Sequence, residues 1–418
     1  MAVDLNYRLK ELFQSLKESG VINDLVSTTS SFYDEPGMFS YNGEFGNMDK
    51  IADDATDFFV NKPVQASGTS FFSKSKAILS CLAEGVERLS LYHYKKNEID
   101  FFASDRIQSF SADKISSSAK IGWVKGFNLT QGKEDYIPAQ LVSLIFYIKH
   151  KEPRLSTNIS SGAAFGFDLL TSLLNGIYEV IERDSFMTIY LGKIPVPKIN
   201  LDAVYDKKIK LLKDKFERYN LKWLVFDFTT DLGIPVAVSL IVDRTGYGPS
   251  SSFGAKCSFN QKKNIIASAE EALMIRNATR KTINDVFIHK RTDGINRRHH
   301  YFNKMFYWWP ISKLEDLDFL LQSEEEDLKT SSTFSNKKRE LNYVVTLLKK
   351  KNHDVYYKDI TIDYFKKKGF IVTRTIIPSL QPLYLYERFR KIFVFRLKEV
   401  QKFFKTDFLI NEIPHPFL

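Results

Sequence analysis

Residues 160–186 read SSGAAFGFDLLTSLLNGIYEVIERDSF, a Gly/Ala-rich loop that runs straight into a helix whose apolar surface is split by acid. At helical spacing Asp168, Ser172, Asn175, Glu179 and Glu182 share one stripe. Leu169, Leu173 and Val180 flank it on one side, and Leu170, Leu174, Ile177 and Ile181 on the other. A solvated helix face mixes Lys with Glu, whereas this stripe sets carboxylates and small polar groups between apolar walls. Carboxylates held that way need a cation or buried donors. The plainer reading is a Glu179–Arg183 salt bridge one turn apart on a surface helix. A second copy argues against it: EGVERLS (Glu84 to Ser90) mirrors EVIERDS (Glu179 to Ser185), with Ser80, Glu84 and Glu87 on one stripe and Ile78, Leu82, Val86 and Leu89 turned elsewhere. Two copies are too few for a solenoid. They suggest two helices presenting paired carboxylates to one site.

Outward from these helices the chain has 418 residues, long enough for two or three domains or for one elaborated domain with a real core. Sixty basic against 50 acidic residues leave a net charge of +10. The lysines come in short bursts (Lys349 to Lys351, Lys366 to Lys368) offset by the acidic run Glu324 to Asp327, so no nucleic-acid-binding stripe is expected. Cys81 and Cys257 lie far apart and outside any C-x-x-C or Cys/His cluster, which fits a reducing cytoplasm. No apolar run reaches membrane-spanning length and no signal segment opens the chain, so neither membrane insertion nor export is expected.

The pattern predicts helices over Leu5 to Lys17, Lys74 to Tyr94, Leu201 to Tyr219, Gln261 to Arg280 and Glu340 to Lys351. It predicts strands over Val21 to Thr28, Trp223 to Phe228, Pro235 to Val242, Val355 to Asp359 and Val372 to Ile376. Asp34 to Gly46 reads as turn-rich loop, and Ile121 to His150 as strand, loop and helix with Pro138 at the helix start. Gly85, inside the first E-x-x-E-R helix, is expected to admit another backbone. Arg291 to Lys338 looks least ordered; its His299-His300 pair tempts a metal reading, but neighbouring residues point apart. The tail NEIPHPFL carries prolines at alternate positions, stiff enough to hold a terminal carboxylate in one place.

Glutamates on helices with no His or Cys beside them make a hard oxygen site, suited to Mg²⁺ rather than Zn²⁺, and Mg²⁺ held by carboxylates usually carries substrate phosphates. The chain has neither a G-x-x-x-x-G-K-[ST] loop nor a kinase signature, so a nucleotide would lie in a non-standard cradle. The Gly162 to Gly166 loop could offer it backbone N–H groups.

Several stretches together resemble the YcaO family, and within it the azoline-forming cyclodehydratases, the D proteins of thiazole/oxazole-modified microcin clusters. They are SCLAEGVERLS (Ser80 to Ser90), GWVKGFNL with IPAQLV (Gly122 to Leu129, Ile137 to Val142), the 160–186 stretch and FDFTTDLGIPVAVSL (Phe226 to Leu240). AEEALMIR (Ala269 to Arg276), DITIDYFKKKGFIVTRTIIPSLQPL (Asp359 to Leu383) and the terminal PHPFL continue the series in order. The resemblance implies an α+β fold, mixed and antiparallel sheets packed with helices around a central ATP-binding cleft. It divides the chain into an N-terminal segment, residues 1–60, and a YcaO domain, residues 61–418, whose tail, residues 414–418, enters the active site.

It further implies an ATP-dependent enzyme, acting in the cytoplasm, that cyclises Cys, Ser or Thr of a ribosomally made precursor peptide. The side chain attacks the preceding backbone carbonyl, the oxygen is phosphorylated, and phosphate leaves as a thiazoline or oxazoline forms. Carried over onto this chain, Mg²⁺ falls to Glu84, Glu87, Glu179, Glu182 and Glu271. ATP falls to these and to Ser80, Ser161, Asn175, Arg183 and Arg276, and catalysis to Pro414, Pro416 and the Leu418 carboxylate. The implied partners are the precursor, a separate ThiF-like leader-binding protein and a flavin-dependent dehydrogenase, with a homodimer inside a larger complex. Ala267 stands where the family often has Arg, Leu170-Thr171 where it has an acidic pair, and Leu418 where a third alternating proline is common. Thioamide or macroamidine formation and a precursor-binding scaffold without turnover are the alternative readings.

Overall fold

The 160–186 stretch divides between a strand and a long helix, and each half recurs elsewhere in the chain. The structure, a computed structural model, describes residues 5–417 apart from 28–31, 47, 49–50, 53–62, 112, 147–151, 156–158 and 290–303. In chain order the longer elements begin with helix α1 (Leu5–Glu18), strands β1 (Ile22–Ser27), β2 (Phe39–Phe45) and β3 (Val64–Ser70), and helix α2 (Lys74–Tyr92). Strands β4 (Ile99–Ala103), β5 (Lys120–Asn128), β6 (Lys133–Pro138) and β7 (Ala163–Gly166) lead to helix α3 (Leu169–Leu191). Then come β8 (Lys198–Ile199), α4 (Lys207–Arg218), β9 (Leu221–Asp227), β10 (Val236–Asp243), β11 (Ser251–Cys257) and α5 (Gln261–His289). Short β12 (Glu325–Glu326), α6 (Lys337–Lys350), β13 (Tyr356–Asp359), β14 (Ile371–Ile376) and α7 (Val394–Phe404) complete the series.

The chain forms two compact units, Met1–Thr29, Met38–Val180 and Phe334–Leu380 in the first, and Ser30–Gly37, Ile181–Thr333 and Gln381–Leu418 in the second. In the first, the antiparallel sheet β1-β2-β3 packs with α1 and α2 over a core of Leu12, Leu16, Tyr41, Phe45, Leu82, Val86 and Val372. A second, antiparallel sheet runs β4-β5-β13-β14-β7 with β6 on β5, and closes over Ile121, Trp123, Ile137, Phe146 and Tyr356. In the second unit the order is β11-β10-β9-β8-β12, antiparallel except where β12 meets β8. Every residue of β10 is buried, as its unbroken run VAVSLIVD requires of a strand covered on both faces. The architecture is mixed α+β.

Five expectations differ from what the chain does. Asp34 to Gly46 is not all loop: Tyr41, Gly43 and Phe45 point into the core at period two, so Phe39–Phe45 pairs as a strand despite the turn-like Asn42-Gly43. The Gly162 to Gly166 loop is strand β7, paired with β14 through Ala163, Ala164, Phe165 and Gly166. After β5 comes a second strand, β6, and Pro138 caps a single helical turn, Ala139–Val142. The helix expected from Leu201 starts at Lys207, where the Asp206 carboxylate accepts from the Lys208 and Ile209 N–H groups. Gly85 admits the Phe45 ring, not a backbone: a Cβ there would stand 2.3 Å from Phe45 Cζ. His299-His300 lies outside the described residues.

Candidate active site

The glutamates singled out by sequence are each bound to a backbone N–H in a strand or just before one. In the first unit Glu84 on α2 accepts from Ser67 N–H of β3 at 2.8 Å, and Glu179 on α3 accepts from Gly162 N–H, just before β7, at 2.8 Å; both reach back 17 residues. Glu87, one turn after Glu84, accepts from Phe165 N–H of β7 at 2.6 Å. In the second unit Glu271 on α5 accepts from Ala255 N–H of β11 at 2.7 Å, reaching back 16 residues, and Glu182 accepts from Cys257 N–H at 3.0 Å. Glu84, Glu179 and Glu271 therefore each grip the segment that leads into their own helix, whereas Glu87 and Glu182 reach across to β7 and β11. A hydrogen bond to a charged acceptor contributes about 1.5–3 kcal/mol. It also fixes the carboxylate's direction.

Small residues make this possible. A Cβ on Gly68 of β3 would sit 2.1 Å from Ala77 O and 2.4 Å from Cys81 N of α2. A Cβ on Gly254 of β11 would sit 2.2 Å from Ser268 O and 2.4 Å from Ala272 N of α5. Only glycine lets strand and helix backbones approach this closely.

The carboxylates gather in twos. Glu87 and Glu179 hold positions three residues apart on the Gly162–Phe165 stretch, and Glu182 and Glu271 hold positions two apart on β11, on one side of the strand. Among the described residues no three His, Cys, Asp or Glu side chains form a ready metal cage. Paired hard oxygens fit Mg²⁺, which binds through one or two carboxylates, waters and substrate phosphates rather than an all-protein shell.

The other polar residues of the helices have various fates. Ser172, buried, donates to Ala164 O at 2.6 Å, and Asn175, exposed, reaches Phe165 O at 3.5 Å, so the polar stripe of α3 lies over β7. Asp168 stands just before α3, accepting from Thr171 N–H at 2.8 Å and pairing with Lys337 at 3.1 Å. Burial works to raise its carboxyl, but the Thr171 hydrogen bonds and Lys337 win and lower it. Ser80 is exposed on α2 one turn before Glu84; Ser161 is half-buried beside Gly162, and Arg183 is half-buried beside Glu182. Arg276, expected at the nucleotide, is 2% exposed and gives its guanidinium to Glu35 (2.8 Å), Asp243 (2.7 Å) and Pro249 O (2.9 Å), a network within the second unit. Burial and neighbouring Glu84 push the Cys81 thiol up to about 12, and burial and Glu182 push Cys257 well above its usual value. Both thiols are inert.

The tail is built into the second unit. Pro414 O accepts from Tyr190 O–H at 3.1 Å and from Trp308 Nε1–H at 3.0 Å. Phe417 packs on Phe186 at 4.7 Å between centroids. Phe186 follows Glu182 by one turn of α3, so the tail runs beside the helix that carries that carboxylate. Leu418 lies outside the described residues. Sequence reading missed β11 as the strand that seats two carboxylates, and with it Lys256, whose ammonium stands 3.9 Å from Glu182. SSFGAKC carries a glycine and few β-branched residues, so its strand signal is weak. Lys304 and His415, both buried, were also missed.

Residues 70–381 match the family described as YcaO cyclodehydratase, ATP- and Mg²⁺-binding. Among solved structures the chain resembles a heterocyclase in complex with substrate and cofactor, at 18% identity and TM-score 0.73, over 97% of this chain and 57% of that one. It also resembles YcaO from Methanopyrus kandleri bound with AMPPCP and Mg²⁺ (13% identity, TM-score 0.66, 94% and 95% of the two chains). The E. coli microcin synthetase McbBCD complex matches at 17% identity and TM-score 0.56, over 90% and 95%. The chain thus spans little more than half of the first structure, and a third of an uncharacterized Rhizobium leguminosarum protein that it matches at 28% identity over 141 residues.

Proposed function

The chain belongs to the YcaO cyclodehydratases, an ATP- and Mg²⁺-binding family, and we propose that it converts Cys, Ser or Thr residues of a ribosomally made precursor peptide to thiazolines or oxazolines. The observation that carries this reading is the seating of five glutamates on backbone N–H groups in or next to strands, in two pairs and a single, a hard-oxygen set directed by the backbone. Glu84, Glu87, Glu179, Glu182 and Glu271 are the proposed Mg²⁺ ligands, with Ser80, Ser161, Asn175 and Arg183 toward the nucleotide. When bound, ATP supplies the phosphoryl group that lets the amide oxygen leave as phosphate. Lys256, beside Glu182, supplies positive charge where Ala267 offers none, favouring the charge that develops on a transferring phosphoryl group. Arg276 is left out, because its donors are committed to Glu35, Asp243 and Pro249.

Pro414, Pro416 and the Leu418 carboxylate are assigned to the peptide side, the terminal carboxylate orienting or accepting the amide proton. The tail's course along α3 one turn past Glu182 supports this. A separate ThiF-like leader-binding protein, a flavin-dependent dehydrogenase and self-association remain part of the proposal, and the likeness to a microcin synthetase complex favours a multi-protein assembly. No described helix is long and apolar enough to cross a membrane. The test is incubation with ATP, Mg²⁺, the co-encoded precursor and any co-encoded ThiF-like protein. Mass loss of about 18 Da per ring, with one ATP consumed for each, is the expected result, since elimination of water is the chemistry proposed. Oxygen-for-sulfur exchange in the peptide would point to thioamide formation, and peptide binding without ATP consumption to a scaffold.

A further inference from the structure

Two buried nitrogens meet where the tail enters the second unit. Lys304 is 2% exposed and His415 is fully buried. Lys304 Nζ lies 2.6 Å from His415 Nε2, 3.3 Å from the Tyr384 carbonyl oxygen and, as an ion pair, 3.3 Å from Glu387 Oε1; His415 Nε2 also lies 2.6 Å from the Tyr384 oxygen, so ammonium, imidazole and carbonyl meet at one point. The Tyr384 ring stands edge-on to the His415 ring at 4.8 Å and lies 5.3 Å from Nζ. Burial pulls Lys304 down to about 8, with Glu387 holding it up; burial and the Lys304 charge keep His415 well below the usual histidine range. At neutral pH a neutral imidazole therefore faces a cation.

A buried lysine is a costly way to fill space, and methionine would fill it without desolvating a charge. What the lysine adds is direction. An apolar contact tolerates rotation of the segment it holds, whereas a ring hydrogen-bonded through one nitrogen has a defined orientation. Prolines on both sides of His415 fix their own φ angles and pass that orientation along the chain. We propose that Lys304 is a positioning residue that, through His415, sets the direction in which Pro416 and Phe417 are presented to the reacting amide. The proposal rests on the assignment of the tail to amide activation.

The test uses the full chain carrying Lys304→Met, Lys304→Arg or His415→Ala. Three quantities are measured: hydrogen exchange of the Ile413, His415 and Phe417 amides, ATP affinity, and kcat and KM for ring formation on the precursor. Lys304→Met should speed tail exchange about tenfold or more with the rest of the chain unchanged. It should also lower kcat about 10- to 100-fold while ATP affinity stays within about twofold, and Lys304→Arg should recover part of both losses. His415→Ala lies close to the chain end and should reproduce the Lys304→Met pattern even if the lysine variant folds poorly. A tail as protected as in the parent in both variants overturns the anchor and leaves the tail's catalytic assignment standing. A tail loosened in both, with rings still formed at the parent rate, overturns that assignment and the positioning role with it.

Discussion

In the first unit β3 lies against α2, and in the second β11 lies against α5. Each strand comes in by way of a glycine, and each helix returns a glutamate to a strand N–H. The arginines that follow these glutamates go opposite ways. Arg88 pairs with Glu84 at 2.6 Å and donates to Gln65 O, with 41% of its side chain exposed. Arg276 is buried between Glu35 and Asp243, enclosed by a loop so tight that a Cβ on Gly248 would meet its Nη2 at 2.4 Å. Arg280, next along that face, also pairs with Glu35 and with Asp34. The same strand–helix device thus leaves one arginine at the surface and makes the other part of the core, so an arginine one turn or so after such a glutamate cannot by that alone be assigned to a ligand.

The comparison can be broken first at the buried arginine. Arg276→Met leaves Glu35 and Asp243 as buried charges short of a partner and should cost about 3–5 kcal/mol, read from urea unfolding. A loss below about 1 kcal/mol would mean that water reaches the network. Arg88→Met removes a half-exposed pair and should cost less than about 1 kcal/mol.

Between these extremes fall the glycines. Gly254→Ala and Gly68→Ala should each cost about 1–3 kcal/mol, because the added methyl meets backbone atoms that cannot turn aside. The two should differ in function. The Gly254 methyl would also press on Glu271 Cβ at 2.8 Å, whereas the three atoms nearest the Gly68 methyl are all backbone. Gly254→Ala should therefore weaken Mg²⁺-dependent nucleotide binding more than Gly68→Ala does; equal effects would show that Glu271 is not held by that contact.

The E-x-x-E-R repeat was legible because it is local: Glu84 and Glu87, or Glu179 and Glu182, lie within one turn, and helical period alone puts them on one face. The strand donors were not, since Phe165 is 78 residues from Glu87 and Cys257 is 75 from Glu182. The partners of Arg276 were hidden for the same reason, Glu35 lying 241 residues away. The loop read into Gly162 to Gly166 came from its small residues, which β14 nevertheless pairs as a strand. Asn42-Gly43 misled in the same way, its turn chemistry overruled by pairing on both sides. The tail's prolines were visible, but the lysine that meets its histidine is 111 residues off and belongs to no pattern.

The central claim is that the proposed glutamates hold the Mg²⁺ that carries the nucleotide. It is tested most directly by measuring ATP affinity with and without Mg²⁺ for Glu84→Gln and Glu179→Gln from the first unit and Glu182→Gln and Glu271→Gln from the second. Each change keeps the shape and an acceptor for the strand N–H while removing a charge. All four variants should stay folded and lose the Mg²⁺-dependent part of ATP binding by about tenfold or more, leaving the Mg²⁺-free part within about twofold. Mg²⁺-dependent affinity equal to the parent's in all four would contradict it.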